Sequence, residues 1–107
     1  MKTTTKTKTL SLGDFKRYVD QLQYDCIWYD ERLNDNSPVY LSLSFNELYI
    51  RLCPDVIMLK DCKDGDNTLL FYGVHKIEIE DFVLGTIAYI TCIYNGELTR
   101  YSILFKH

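Results

Sequence analysis

Residues 39–53 read VYLSLSFNELYIRLC, and their alternation decides the fold class. Val39, Leu41, Leu43 and Phe45 alternate with Tyr40, Ser42 and Ser44. Beyond Asn46-Glu47, Leu48, Ile50 and Leu52 alternate with Tyr49 and Arg51. A period of two marks strands with one covered face. With Asn46-Glu47 as a two-residue turn, Phe45 faces Leu48, Leu43 faces Ile50 and Leu41 faces Leu52, so the spacing predicts a hairpin. Its outer face would carry Tyr40, Ser42, Ser44, Tyr49, Arg51 and Cys53.

Downstream the strands continue. Cys53-Pro54-Asp55 breaks the run, and residues 56–60 (VIMLK) start another strand. Residues 61–67 (DCKDGDN) read as a polar loop with Gly65 at its tip. Residues 68–72 and 74–80 read as two strands, or as one with a bulge at Gly73. Ile77 and Ile79 then face inward while Lys76, Glu78 and Glu80 face water. A final hairpin, 86–94 and 97–105, turns at Asn95-Gly96, a pair suited to the positive φ angles of a tight hairpin turn. Its pairing puts Ala88, Ile90, Cys92, Tyr101, Ile103 and Phe105 on one face.

Upstream lies a helix, expected over 12–23. Ser11 can cap it, Asp14 suits the positive end of the helix dipole, and Leu12, Phe15, Val19 and Leu22 form one apolar stripe. Residues 24–38 permit a short strand around Cys26 and Trp28, a helical turn at 30–33 and a loop at 34–38. Residues 1–9 (MKTTTKTKT) read as a disordered tail, with an exposed edge strand as the second reading. The domain reading is therefore a basic Thr/Lys tail over 1–11 and a single α+β domain over 12–107. With no second helix to serve as a crossover, the expected fold is an N-terminal helix packed on a mostly antiparallel five- to seven-stranded meander. A strongly curled sheet or partial barrel is its variant.

Bulk properties narrow the function. The tail carries Lys2, Lys6 and Lys8 and no acid, whereas residues 12–107 hold nine basic and fifteen acidic residues, a balance of −6. A body of that sign repels phosphate backbones, so direct nucleic-acid binding is not expected. The first twenty residues lack the apolar core of an export signal, and no apolar run is long enough to span a bilayer, so no membrane association is expected. The expected location is the cytoplasm, with Cys26, Cys53, Cys62 and Cys92 as thiols.

Catalytic motifs are missing from the sequence. His75 shares parity with Ile77 and Ile79, the place of a half-buried strand residue, and His107 is the final residue. There is no nucleophile elbow, Gly-rich phosphate loop or H-E-x-x-H, so the chain is expected not to be an enzyme. The cysteines lack paired zinc spacing, and no cofactor is expected. If a metal binds, folding back across 63–67 points to Cys53, Asp55 and His75, joined by Cys26, with zinc the fitting ion. Asp61, Asp64, Asp66 and Asn67 lack the order of a calcium loop.

Surface residues remain. Tyr40, Tyr49 and Arg51 would make an aromatic-polar patch, and Trp28 and Tyr29 beside Asp25, Asp30 and Glu31 an acidic-aromatic loop. Glu78 and Glu80 add paired carboxylates on an outer strand face. Tyr, Trp and Arg dominate binding hot spots, and the acid excess suits a protein partner with a basic surface. The expected function is a non-catalytic protein-binding module, an inhibitor of such a partner. A zinc-stabilised binding domain and a self-associating structural protein are the alternatives.

In general character (small, acidic, Tyr-rich, single-domain, without catalytic motifs) the chain resembles the small phage- and mobile-element-encoded inhibitors of host defence, anti-CRISPR proteins among them. The resemblance is one of class and carries over no residue. It implies binding to a guide-RNA nuclease on a surface that handles nucleic acid.

Overall fold

A serine hydroxyl opens the helix as expected: Ser11 Oγ accepts from the Asp14 backbone N–H at 3.1 Å, and its carbonyl accepts from Phe15 N–H at 2.8 Å. The computed structural model describes residues 7–31, 36–39, 41–61 and 68–106. Helix α1 spans Leu12–Gln21, two residues short of the expected end, because Leu22 turns to extended backbone. Phe15 and Val19 are buried, with Leu12 and Leu22 packed against the same core.

Nine strands form among the described residues: β1 (Lys8–Leu10), β2 (Cys26–Glu31), β3 (Leu41–Phe45), β4 (Glu47–Leu52), β5 (Asp55–Lys60), β6 (Thr68–Tyr72), β7 (Val74–Phe82), β8 (Gly85–Tyr94) and β9 (Glu97–Lys106). Six make one sheet in the order β1-β7-β8-β9-β2-β3, and β4-β5-β6 make a second. All pairings are antiparallel. The α+β class and the antiparallel sheet stand. The single sheet of five to seven strands, and its curled variant, give way to two sheets.

The correction centres on two residues. The predicted Asn46-Glu47 hairpin does not form: β3 pairs with β2, putting Leu43 opposite Tyr29 and Phe45 opposite Ile27, whereas β4 pairs with β5. Asn46 is a bend at which the chain leaves one sheet for the other. Asn-Glu lacks the glycine that a primed two-residue turn favours, and sandwich corners are commonly made by strands that switch sheets at bends. Gly73 is the return corner, with φ of +64°. It separates β6 in the small sheet from β7 in the large one, so 68–80 is neither one strand nor one sheet.

The final hairpin forms as read. Tyr94 pairs with Glu97 around Asn95 and Gly96, both at positive φ. Ala88, Ile90, Cys92, Ile103 and Phe105 are buried, as are Ile77 and Ile79. Within the supposed tail, Lys8–Leu10 is an edge strand on β7, with Leu10 opposite Ile77. Residues 1–6 lie outside the described residues.

Two aromatic clusters hold the layers together. Phe105 takes the edges of Phe15 and Tyr24, at centroid distances of 6.1 and 5.3 Å, and ties α1 and the segment after it to the large sheet. Phe71 of β6 meets Tyr101 of β9 at 4.8 Å and Tyr29 of β2 at 5.8 Å, which locks the small sheet onto the large one. Such edge-on contacts add to the burial of large rings.

Candidate interaction faces

Each sheet has one face on the core and one turned away, and strand parity assigns the side chains. In the small sheet Ile57, Leu59 and Phe71 point inward. The outward rows are Tyr49–Met58–Leu70 and Arg51–Val56–Tyr72, by the register of β4 with β5 and β5 with β6. Tyr49 is 49% exposed, Tyr72 53% and Leu70 38%, while Val56 is covered between Arg51 and Tyr72. Two tyrosines, an arginine, a methionine and a leucine thus share one outward face. These are the residue types enriched at interface centres, apart from leucine. Tyr49 donates to the Glu47 carboxylate two residues earlier on the same strand.

The outer face of the large sheet carries both signs of charge: Lys76, Arg100 and Lys106 share it with Asp30, Glu78 and Glu80, and Lys76 lies 3.7 Å from Glu78. Trp28 lies beside Leu104 and Ser44, and Glu78 beside Tyr89. Tyr89 donates to Glu80 at 2.9 Å, and the Arg100 guanidinium lies 4.4 Å from the Tyr89 ring centroid. Asp30 accepts from Ser42 Oγ at 2.7 Å. Trp28, Asp30, Glu78 and Glu80 therefore share a face, which sequence spacing alone did not foresee. The Trp28 indole N–H is buried and has no acceptor among the described residues.

Several expected site residues change character. Tyr29 is 3% exposed and cannot serve as a surface contact: β2 is an inner strand between β9 and β3, which turns its ring into the core. Residues 28–31 are strand rather than an acidic-aromatic loop, and Glu31 is half-buried on the Tyr29 side. His75 is exposed rather than half-buried, because the β7–β8 register shifts between Val74 and Lys76 and breaks its parity with Ile77. Tyr40, Cys62, residues 63–67 and His107 lie outside the described residues.

The residues suggested for zinc are not drawn together. Cys53 and Asp55 share the turn between β4 and β5, and Val56 pairs with Tyr72, which brings the start of β7 toward them. Gly73 then carries the chain into the other sheet before His75, and Cys26 pairs with Lys106 in the large sheet. Among the described residues no three His, Cys, Asp or Glu side chains are grouped to hold a metal ion.

A cleft between α1 and β4 is lined by Val19, Leu22, Tyr24, Leu48 and Ile50, with Lys16 and Asp20 at its mouth. Burial, with Asp20 and Glu47 nearby, raises the Tyr24 phenol above its ordinary pKa and keeps it a neutral hydrogen-bond donor. No helix of the described residues is long and apolar enough to cross a membrane.

Tyr49 and Arg51 were legible as a surface pair; Met58, Leu70 and Tyr72 were missed. No alternation marked them, since residues 56–59 and 69–71 are apolar throughout, and only the register of β5 with its two neighbours separates the faces. No family model, curated protein or solved structure matches this chain.

Proposed function

We propose that this protein is a non-catalytic binding module that docks a protein partner through the outer face of its small sheet. The observation that carries the reading is the exposure of Tyr49, Leu70 and Tyr72 beside Arg51 on one sheet face. An inhibitor needs only such a rigid face, since occupying a partner's working surface requires no chemistry. The acid excess of residues 12–107 favours approach to a partner with a basic surface and gives association a salt dependence. Asp30, Glu78 and Glu80 on the large sheet contribute to that field. Guide-RNA nucleases, whose nucleic-acid channels are basic, are the first partners to test, in keeping with the class resemblance to anti-CRISPR inhibitors.

The test is binding of the purified chain to candidate partners at low and moderate salt, with variants on each face. Tyr49→Ala combined with Tyr72→Ala is expected to weaken binding by roughly a hundredfold, as loss of central aromatic contacts does. Asp30→Asn, Glu78→Gln and Glu80→Gln together are expected mainly to slow association. A partner held equally well by the tyrosine double variant, correctly folded, would remove this face from the proposal.

A further inference from the structure

Among the described residues strand β3 is a terminal strand of the large sheet, and its composition is unusual for that place. Exposed edges are ordinarily guarded by charge, proline or brevity, because unused backbone donors and acceptors recruit other strands. The other terminal strands are guarded or shielded. β1 is three residues long; β4 carries Glu47 and Arg51; β6 lies against β8 and runs into the Gly73 corner, where Gly73 O accepts from Ile93 N at 2.9 Å. β3 reads Leu-Ser-Leu-Ser-Phe, and no charged residue occurs anywhere between Asn36 and Asn46. Val39 and Leu41, 39% and 38% exposed, add apolar surface at the same border.

We infer that β3 is the seam of a symmetric dimer in which two copies of this chain join their large sheets edge to edge. The sequence of the strand is its own complement. Antiparallel pairing about a two-fold axis at Leu43 sets Leu43 against Leu43 of the second copy, Leu41 against Phe45, and Ser42 against Ser44. Apolar side chains meet apolar ones on the core side, and hydroxyls meet hydroxyls on the other. A one-residue slip in either direction would set serine against leucine or phenylalanine, so the alternation specifies the register. Two-fold self-pairing also fits the absence of charge: a charge at 43 would face its own like across the axis, and a single charge at 42 or 44 would face an uncharged serine. The seam lies on a different sheet from the Tyr49–Tyr72 face and is independent of the function proposed for that face.

The experiment is sedimentation velocity of the full chain over a wide dilution series, alone and as two double variants, Ser42→Lys with Ser44→Lys and Ser42→Glu with Ser44→Glu. Wild type is expected to be a dimer that dissociates on dilution. Within either variant the introduced charges oppose their like across the seam, and dimerisation is expected to weaken at least about tenfold. An equimolar mixture of the two variants is expected to restore the dimer as a heterodimer. Circular dichroism of each variant controls for folding. A wild type that sediments as a monomer throughout, or folded variants that dimerise as tightly as wild type, would overturn the inference. Folded monomeric variants that fail to associate when mixed would overturn the register.

Discussion

The Tyr18 hydroxyl donates to the Asp81 carboxylate at 2.8 Å, joining the middle of α1 to the far end of β7. Asp81 also accepts from Thr86 Oγ1 at 2.7 Å, so one carboxylate ties helix, strand and the following strand together. The hydrogen bonds from Thr86 and then Tyr18 hold the Asp81 carboxyl below the ordinary aspartate range. A depressed folded-state pKa adds stability above the unfolded value, about 3.9, and that stability is lost as pH falls through the folded value. Asp81→Asn is therefore expected to lower stability at neutral pH and to flatten the acid limb of the stability–pH curve. Urea denaturation at neutral and acidic pH measures both.

From the other partner, Tyr18→Phe removes one exposed hydrogen bond and is expected to cost about 0.5–1 kcal/mol. Burial, with Asp81 beside it, raises the Tyr18 phenol above its usual value. The Tyr18 contribution is thus complete below about pH 10 and disappears as pH rises through the raised pKa, when the phenol must ionise beside a carboxylate. Spectrophotometric titration of the tyrosines, wild type against Tyr18→Phe, identifies that group.

Gly73→Ala should be far more damaging than its size suggests. The backbone there is left-handed, and an added Cβ would collide with the Ile93 carbonyl oxygen at the return corner between sheets. The expected loss exceeds about 1 kcal/mol and falls on the contact between sheets. Chemical denaturation gives the loss, and hydrogen exchange locates it in 68–76 and 90–94.

Phe105→Ala empties the meeting point of Phe15 and Tyr24. Removal of a fully buried phenylalanine costs about 3–5 kcal/mol, a large share of the 5–15 kcal/mol typical of domains. The variant is expected to be largely unfolded on warming, which thermal unfolding followed by circular dichroism will show.

The thiols should separate by reactivity. Cys53 is exposed, Cys26 half-buried and Cys92 buried, and burial pushes the Cys92 thiol pKa up. Reaction depends on access and thiolate, so of these three Cys53 is expected to label first and Cys92 only after unfolding. Peptide mapping after timed alkylation reads the order.

Local chemistry was legible in the sequence, and sheet membership was not. Ser11, Asn95-Gly96 and the Ile77/Ile79 alternation each report on neighbours a few residues away, and the structure keeps all three. The alternation of 41–52 correctly gave two strands, but alternation is equally satisfied by a hairpin and by a strand that bends into another sheet. What decides between them is distant: β2 and β9 supply the partner that β3 takes, and β5 the partner that β4 takes. Tyr29 was misread for the same reason, since only the placement of β2 inside the large sheet buries it. On the candidate face, Tyr49 and Arg51 could be named from one strand, whereas Tyr72 joins them only through the register of β5.

The order in which the chain is made gives the sheet layout a further consequence. Strands β4–β6 come from one continuous stretch, 47–72, and can pair as soon as they leave the ribosome. β9 is synthesised last of the strands yet sits inside the large sheet, between β8 and β2. Until residues 97–106 emerge, β2 lacks its inner partner, and β2 and β3 wait with an open border on each side. Newly made chains would therefore pass through an interval when β2, as well as the uncharged β3, offers a border able to capture a neighbour. The birth order of the strands thus makes polysomes, where identical chains emerge side by side, the place where pairing between copies would begin.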